Sequence, residues 1–531
     1  MKKIILFLSA LTILFISCGC TKVSKGVPYD PSLDSSIADS GTEGQPDSTT
    51  VAPVKANVPV VEASVGYTKQ LQAESGVTAG DLRLNQTRQG YSGAGYISGF
   101  NGNPNNKLTM SLKIPVSQHY NISLIVASDA KQTNILSIND APVAEFTTTG
   151  TGKFENVIVK NVYIPKGTIK LGITQNTGNI DVDFIQVQNS SDVSGISLSA
   201  SPTLTNPDAD IKTVNTMKYL CENYGKNVLS GQYATPGSDK ELQLIYQVTG
   251  KYPAIRLGDL SPYTQSNNVK PKEIEKAIDW SEKGGMVSYV WHWDAPMNES
   301  SSYATETAFD LSKAVTTENI ACLSQDEIQK LHSENKISDE TVAIIKDIDV
   351  ISLQLQRLQD KGVTVIWRPL SEASGGWFWW GSKGADAYKW LWELLYARQT
   401  HFHKLNNLIW VWNAQDAGWY VGDDKCDIIS ADVYSDMFSF NSQVNTFVQL
   451  QKISNKKLIA LSECAAPPLT DNMLRDKAMW SWFGVWSGGY VIDENGALIE
   501  DYVSRQQLIN IYNHENVITR EKLPDFKASG N

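Results

Sequence analysis

The chain has 531 residues, of which 41% are hydrophobic and 19% are charged, a composition typical of soluble globular protein. This length is too great for one ordinary hydrophobic core, so two or three domains are expected. The formal net charge of −11 argues against nucleic acid or an anionic membrane surface as a partner, and it is compatible with a neutral polysaccharide.

The N-terminus carries a targeting pattern. Two lysines precede the apolar run 4–16, which is too short to span a bilayer stably and ends at Ser17, Cys18, Gly19 and Cys20. The pattern resembles a bacterial lipoprotein signal, which implies cleavage after residues 1–17 and lipidation of Cys18. Cys20 is a second choice, and a plain secretory signal is the alternative. We expect an exported protein at the cell surface or in the periplasm, with membrane contact through the lipid anchor only.

The next segments differ sharply in composition. Residues 18–66 are rich in Ser, Thr, Asp, Pro and Gly and are predicted to be a flexible tether. Residues 67–189 consist of short alternating apolar runs separated by Gly, Asn, Asp and Pro, which predicts an all-β jelly-roll sandwich. A second linker is expected at 190–205.

Short motifs at both ends of the predicted sandwich resemble carbohydrate-binding modules of family 35. They are Gln72-Ala-Glu74, Gly90-Tyr-Ser-Gly-Ala-Gly-Tyr-Ile97 and Gly178-Asn-Ile-Asp-Val-Asp-Phe-Ile185. The resemblance implies a structural calcium ion, with hard oxygen ligands from Gln72, Glu74 and Asp183. It also suggests sugar contacts at Tyr91, Tyr96 and Asn179. A surface carboxylate pair, and packing or turn roles for the other residues, are the alternatives.

From residue 206 to 523 strand and helix signals alternate. Apolar runs end near Gln232, Asp259, Trp293, Glu372, Asn413, Tyr434, Glu463 and Trp486. Eight strands with intervening helices predict a (β/α)8 TIM barrel, in which chemistry gathers at the C-terminal ends of the strands. The longest interruption, 298–345 after strand three, is predicted to be an insertion with helical character that could shape a cleft.

The segment 367–381, which reads WRPLSEASGGWFWWG, is the most informative part of the chain. It follows a buried-strand pattern, so a strand would end near Glu372 and lead into a loop with Trp377, Trp379 and Trp380. Flat aromatic faces stack on pyranose rings, and their apolar bulk can raise the pKa of an acid for proton donation near neutrality. A core strand with an aromatic-rich loop is the alternative. We expect this alternative to be wrong because three tryptophans within four residues are hard to bury together.

A second glutamate occupies the equivalent place on another strand. Glu463 ends strand seven, while Glu372 ends strand four, so the two carboxylates would face each other across the barrel mouth. Carboxylates about 5–5.5 Å apart support glycoside hydrolysis by double displacement with retention. Two glutamates at strand ends are a weak signal alone, but their order, loops and aromatic neighbours strengthen it.

The barrel region resembles glycoside hydrolase family 26. The motifs are Leu229-Ser-Gly-Gln232, Gly250-Lys-Tyr-Pro-Ala254, Val290-Trp-His-Trp293, Trp367-Arg-Pro-Leu370, Gly376-Trp-Phe-Trp-Trp-Gly381, Leu408-Ile-Trp-Val-Trp-Asn413, Asp432-Val-Tyr434, Ser462-Glu463 and Trp486-Ser-Gly488. The resemblance implies a monomeric, retaining endo-β-1,4-mannanase that needs no cofactor for catalysis. Its residues would be Glu372 as acid/base, Glu463 as nucleophile, Tyr434 as the residue that orients the nucleophile, and His292, Trp293, Arg368, Trp377, Trp380 and Trp486 as substrate contacts. Arg368 would also order the carboxylates.

The chain departs from the family pattern at one position. The family normally has His immediately before the acid/base, whereas this chain has Ser371. We therefore expect a weakened sugar contact there. Packing roles for Tyr434 and the tryptophans, and a satisfied interior imidazole for His292, remain alternatives. A catalytically silent glycan-binding lipoprotein, or an enzyme acting on β-1,3-xylan or mixed-linkage β-glucan, is the competing function.

Overall fold

The computed structural model describes residues 52–175, 178–264, 272–435 and 439–526. Within these ranges the chain forms an antiparallel β-sandwich followed by a parallel β-barrel. None of the helices in the described ranges has both the length and the apolar character needed to cross a bilayer. The predicted signal and Cys18 lie outside the described residues.

The sandwich consists of two antiparallel sheets. In the first sheet the order is β3-β4-β11-β6-β9, with β1 also paired to β11, and in the second it is β2-β5-β10-β7-β8. The strands are β1 (Thr68–Gln72), β2 (Val77–Ala79), β3 (Arg83–Asn85), β4 (Tyr96–Ser98), β5 (Lys107–Ile114), β6 (Gln118–Ala127), β7 (Thr133–Ile138), β8 (Ala141–Thr147), β9 (Glu155–Ile164), β10 (Gly167–Gln175) and β11 (Asp181–Asn189).

The core of the sandwich lies between the two sheets. Along β5 every second side chain points inward, so Leu108, Met110, Leu112 and Ile114 are buried while their neighbours are less so. Partners from β6, β10 and β11 complete one continuous apolar cluster. The predicted all-β sandwich is confirmed.

Eight parallel strands form a closed barrel. Closure follows from the first strand, which pairs with the second on one side and with the eighth on the other. The strands are β12 (Val228–Tyr233), β13 (Ile255–Asp259), β14 (Met286–Trp291), β15 (Val365–Pro369), β16 (Leu408–Trp412), β17 (Ile428–Val433), β18 (Leu458–Cys464) and β19 (Trp482–Val485), and the short β20 (Val517–Ile518) pairs with the start of β12. The predicted (β/α)8 barrel is confirmed.

Helices cover most of the barrel. They are α1 (Ile211–Asn223), α2 (Lys240–Thr249), α3 (Glu273–Glu282), α4 (Leu311–Ala314), α5 (Gln325–Ser333), α6 (Asp339–Gln359), α7 (Ala385–Ala397), α8 (Val444–Ile453), α9 (Thr470–Asp476) and α10 (Arg505–Tyr512). The connection between β16 and β17 contains only the short 3-10 turn Ala417–Trp419 instead of a full helix. The insertion after β14 holds α4 and α5, and the long α6 begins within it, which agrees with its predicted helical character.

Residues 52–66, expected within the flexible tether, are mostly exposed but form hydrogen bonds to both domains. Val54 exchanges backbone hydrogen bonds with the segment 513–515 of the barrel domain, at 2.8 and 2.9 Å. Further along, the Val65 amide donates to Gln118 Oε1 of the sandwich at 2.7 Å. The linker 190–205 is also held, since the Thr205 amide donates to Asp427 Oδ1 at 2.6 Å. Composition alone did not reveal these contacts because they are made largely by backbone groups.

The sandwich and the barrel meet through a polar interface. His119 Nε2 of β6 lies 2.8 Å from Asp476 Oδ1 of α9, and both side chains are almost fully buried. The guanidinium of Arg475 lies 5.1 Å from the centre of the Tyr163 ring. These contacts fix the module against the barrel.

Candidate functional site

Glu372 follows β15 in an unusual backbone conformation. Its φ is +53°, and Leu370 two residues earlier has φ +54°, so both occupy the left-handed region that favours glycine. Such residues cost about 1–3 kcal/mol each and persist where neighbours hold them. Here Asn413, at the end of β16, accepts the Glu372 amide through its carbonyl at 2.9 Å and through Oδ1 at 3.0 Å. The turn aims Glu372 into the barrel mouth.

Glu463, in β18, is held by two donors. Tyr434 Oη donates to Glu463 Oε2 at 2.6 Å, and Arg368 Nη2 donates to Glu463 Oε1. The same guanidinium nitrogen also donates to Tyr233 Oη at 2.7 Å. Hydrogen bonds to both oxygens fix the orientation of the carboxylate. Tyr434 thus has the contact with Glu463 that the resemblance implies.

Asp432 is the second buried anion beside Arg368. Arg368 Nη1 donates to Asp432 Oδ2 at 2.9 Å, and Ser462 Oγ donates to Asp432 Oδ1 at 2.6 Å. Burial raises the pKa of Asp432 to about 7, although Arg368 opposes the shift. Arg368 has only 1% of its surface exposed, so it orders the carboxylates and is not a substrate contact, contrary to that part of the expectation.

The two glutamates differ in their surroundings. Burial, followed by the negative charges of Asp432 and Glu463, raises the pKa of Glu372 to about 8. Glu372 accepts one hydrogen bond, from Trp377 Nε1 to Oε2 at 3.2 Å, whereas Glu463 is bound by a guanidinium and a phenol. At neutral pH the raised pKa favours a protonated Glu372, and glycoside cleavage with an acid and a nucleophile requires one carboxyl in that state.

The site also contains a cluster of aromatic rings and one cation, formed by Trp486, Tyr233 and His292. The Trp486 ring is half-buried, with the Tyr233 ring 4.4 Å away and the His292 ring 5.6 Å away in a T-shaped arrangement. His292 Nδ1 lies 2.9 Å from Asp259 Oδ2. Burial lowers the pKa of His292, but the charge and hydrogen bond of Asp259 outweigh it and raise the pKa to about 9. His292 is therefore a cation near the carboxylates.

Two of the expected substrate contacts are buried instead. Trp293 and Trp380 are both 0% exposed, as is Trp379, so none offers a face to a sugar. The Trp293 ring stacks on Trp291 at 4.0 Å, and its Nε1 donates to Asp347 at 2.9 Å. The expectation that the tryptophans at 377, 379 and 380 could not be buried together is wrong for two of them. Trp377 alone stays half-exposed.

The hydroxyl of Ser371 does not reach the cleft. Ser371 is 1% exposed, and its Oγ has no hydrogen-bond partner among the residues that the structure describes. Its carbonyl accepts the indole N–H of Trp380 at 2.9 Å. The serine thus supplies no donor to a substrate at the position where the family pattern has an imidazole.

In the sandwich, the expected metal ligands do lie together. The Asp183 carboxylate accepts the Ser92 amide at 3.0 Å, Gln72 Oε1 accepts the Ser92 hydroxyl at 3.2 Å, and Glu74 Oε1 accepts the Ala94 amide at 2.8 Å. Glu74 Oε2 is buried without a partner in the described part of the chain. No group of three or more His, Cys, Asp or Glu residues suited to a metal occurs in the described ranges, so a calcium site here would need the amide oxygen of Gln72.

The three expected sugar contacts of the sandwich differ in how exposed they are. Tyr96 is 1% exposed, and its Oη accepts the Arg88 amide at 2.9 Å, so it is a packing residue and the expectation of a sugar contact is wrong. Tyr91 is half-buried, with its ring 5.8 Å from that of Tyr96, and Asn179 is exposed. Tyr91 and Asn179 remain predictions.

Several site residues were missed from the sequence. Asp259 and Asp432 both end barrel strands, so the rule that predicted Glu372 could have identified them. Asp347 lies on α6, where no local pattern marks it, and burial raises the pKa of its carboxyl to about 6. Tyr303 lies in the insertion and comes near the carboxylates only through tertiary packing.

Two stretches of the chain match models of known families. Residues 205–522 match the model described as glycosyl hydrolase family 26, and residues 69–190 match the model described as carbohydrate binding module family 35. The first match spans the whole barrel, including Glu372, Asp432 and Glu463.

Curated relatives and solved structures agree with these matches. A mannan endo-1,4-beta-mannosidase from Thermothelomyces thermophilus is 33% identical over 89% of this chain and 93% of the relative, and a mannan endo-1,4-beta-mannosidase A from Piromyces is 32% identical over 86% and 73%. The crystal structure of a β-(1,4)-mannanase from Podospora anserina, which joins family-26 and family-35 parts, has a TM-score of 0.58 at 31% identity and covers 87% of this chain and 99% of that chain. A β-mannanase of a symbiotic protist of the termite Reticulitermes speratus, solved with a gluco-manno-oligosaccharide, has a TM-score of 0.54 at 30% identity and covers 62% and 99%.

Proposed function

Because the chain belongs to glycosyl hydrolase family 26, we propose that it is an endo-acting enzyme that cleaves β-1,4-mannosidic bonds in mannan, galactomannan or glucomannan with retention. The observation that carries the proposal is the contrast between the carboxylates: Glu372 is half-buried with a pKa raised to about 8, and Glu463 is held by Arg368 and Tyr434. The names of the relatives supply the substrate class.

The proposed reaction has two displacements. In the first, an oxygen of Glu463 attacks the anomeric carbon while the bond to the leaving oxygen breaks and that oxygen takes the proton of Glu372. The product is a glycosyl ester of Glu463 and a shortened chain with a new free hydroxyl. In the second, ionised Glu372 takes a proton from water, whose oxygen attacks the same carbon and releases Glu463.

The surrounding residues support these steps. Tyr434 and Arg368 hold Glu463 in a fixed orientation until it attacks, and Trp486 provides a half-exposed aromatic face beside His292 for the sugar ring. The cation of His292, paired with Asp259, is suited to hydrogen-bond sugar hydroxyls.

Release of reducing ends from galactomannan tests the proposal, with Glu463→Ala as the matched inactive variant. The wild-type protein should release reducing ends and the variant should not. Parallel assays on β-1,3-xylan and mixed-linkage β-glucan show which polymer is the substrate. Equal, negligible release from all three polymers by both proteins would instead favour a glycan-binding protein, for which the buried hydroxyl of Ser371 is the supporting observation.

A structural calcium ion in the sandwich is a further part of the proposal. Gln72, Glu74 and Asp183 offer hard oxygens, and Glu74 Oε2 is buried without a partner in the described ranges. A Cβ at Gly93 would lie 2.3 Å from Glu74 Oε1, so the loop backbone closes on these oxygens. Calcium should raise the midpoint of thermal unfolding of wild-type protein, and Glu74→Gln should reduce that increase. An equal midpoint with calcium and with a chelator would contradict the site.

Export and lipid anchoring are also proposed, on the basis of the N-terminal pattern and Cys18. Metabolic labelling with a palmitate analogue should mark the wild-type chain in the membrane fraction. Cys18→Ala should lose the label, with Cys20→Ala as the matched control. Labelling that persists in Cys18→Ala and disappears in Cys20→Ala would move the anchor to Cys20.

A further inference from the structure

Tyr303 reaches the rim of the site from the insertion after β14. It forms an isolated antiparallel bridge with Phe378, in the loop that follows Glu372. On either side of the bridge, the Ala304 amide donates to the Trp377 carbonyl at 2.7 Å and the Trp379 amide donates to the Ser302 carbonyl at 3.0 Å. The insertion is therefore fixed to the aromatic loop by a short ribbon of backbone hydrogen bonds.

Ring packing fixes the side chain as well. The centre of the Tyr303 ring lies 5.3 Å from that of Phe378, and Phe378 stacks on Trp380 at 4.4 Å. Trp380 in turn donates its indole N–H to the carbonyl of Ser371, the residue before Glu372. Two packed rings and one hydrogen bond thus connect Tyr303 to the backbone that carries the acid/base carboxyl.

The outer part of Tyr303 is free to meet a ligand. The residue is 37% exposed, and its hydroxyl has no hydrogen-bond partner in the described part of the chain. Burial raises the pKa of its phenol, followed by the negative charges of Glu372, Glu306 and Glu463. The raised pKa keeps the hydroxyl protonated at neutral pH, as a hydrogen-bond donor.

The burial of the Ser371 hydroxyl makes the position of Tyr303 important. Its hydroxyl is buried and donates to nothing in the cleft, although the family pattern has an imidazole there. A sugar next to Glu372 consequently lacks one expected donor from the strand end. Tyr303 presents a phenol from the neighbouring insertion.

We propose that Tyr303 contacts the sugar bound beside Glu372, through its ring and through a hydrogen bond from its hydroxyl, and that it supplies the donor that Ser371 does not. This inference rests on the proposed function, because it names a contact to the same β-linked mannosyl chain. Tyr303 is a substrate contact in this assignment and transfers no proton.

Two kinds of measurement test it, each with Tyr303→Phe, Tyr303→Ala and the control Tyr246→Phe. The control removes the hydroxyl of a half-buried tyrosine on α2. Calorimetry measures mannohexaose binding in the Glu463→Ala background, and kinetics on mannohexaose measures kcat and KM in the active enzyme. Loss of the hydroxyl should weaken binding by about 3- to 10-fold, and Tyr303→Ala should weaken it further, while Tyr246→Phe leaves affinity unchanged.

The outcomes separate this inference from the proposed function. Unchanged binding and unchanged kcat/KM in both Tyr303 variants, with an active wild type, would overturn the inference and leave the proposed function intact. A loss in Tyr303→Ala without any loss in Tyr303→Phe would overturn the donor role. A wild type that neither binds nor cleaves manno-oligosaccharides would overturn the proposed function, and this assignment with it. Tyr303→Phe keeps the ring packing, so its result does not depend on refolding of the ribbon.

Discussion

The indole N–H of Trp377 donates a hydrogen bond to Glu372 Oε2 at 3.2 Å, so the half-exposed aromatic face at the rim also touches the acid/base carboxyl. Gly375 makes this contact possible. A Cβ at Gly375 would lie 1.9 Å from the Trp377 ring, so the indole rests directly on the glycine backbone. One side chain thereby joins the half-exposed aromatic face at the rim to the carboxyl of Glu372.

Trp377→Phe should move the alkaline limb of kcat/KM to higher pH. The hydrogen bond favours ionised Glu372, so its loss raises the pKa of the carboxyl further. A shift of about half a pH unit corresponds to about 0.7 kcal/mol. Trp390→Phe, which removes an indole that donates to Thr316 on the insertion, is the control and should leave the limb in place. A limb that stays in place or moves down in Trp377→Phe would contradict this role.

Activity on polysaccharide should fall as the pH rises above about 8. Glu372 must be protonated to assist the leaving oxygen, and burial with the charges of Asp432 and Glu463 raises its pKa to about 8. Above that value the protonated fraction falls tenfold per pH unit. The measurement is kcat/KM across neutral and alkaline pH.

Glu372→Gln should lower kcat on mannan by about 100- to 10,000-fold and abolish this alkaline limb. An aryl mannoside whose leaving group needs no protonation should be affected much less in the first displacement. The exposed Glu494→Gln is the control. An equal loss on both substrates would argue that Glu372 is not the acid.

Asp432→Asn should move the alkaline limb of kcat/KM to lower pH, opposite to the shift expected for Trp377→Phe. The charge of Asp432 is one of the causes that raise the pKa of Glu372, so its removal lowers that pKa. Arg368 also loses its bond to an anion, which leaves it more strongly paired with Glu463, and kcat should fall at least about tenfold. Ser462→Ala removes a hydrogen bond to Asp432 without removing charge, so its limb should stay closer to that of the wild type. A limb that moves up in Asp432→Asn would refute the electrostatic account.

The module and the barrel should unfold together, with His119 at their junction. His119→Ala removes one of three side-chain partners of a buried carboxylate, Asp476, which keeps Arg475 and Ser442, and should lower the free energy of unfolding by about 1–3 kcal/mol. The matched control is His332→Ala, since its pair with Asp339 is exposed and should contribute less than about 1 kcal/mol. Thermal unfolding followed by calorimetry measures both variants. Equal effects, or a separate module transition in the wild type, would show that the interface does not couple the domains.

Much of the barrel could be predicted from the sequence because buried parallel strands are nearly continuous apolar runs. The ends of those runs located Glu372, Tyr434 and Glu463, since the fold places chemistry at strand ends. The same rule applied more widely would have added Asp259 and Asp432.

The burial of individual tryptophans was beyond sequence reasoning. Trp377, Trp379 and Trp380 lie in one loop without regular periodicity, so nothing local indicates which ring faces the core. Tyr303 was missed because backbone pairing with Phe378, distant in the chain, brings it to the rim. The docking of residues 52–66 depends largely on backbone groups, which composition does not report.

The anomeric form of the first product tests the central claim most directly. Proton NMR during the first minutes of mannohexaose cleavage distinguishes the β-anomer from the α-anomer before mutarotation mixes them. If Glu463 attacks the sugar while Glu372 donates the proton, the new reducing ends appear first as the β-anomer. New reducing ends that appear first as the α-anomer would mean that water attacks directly, and would contradict the assignment of Glu463 as nucleophile.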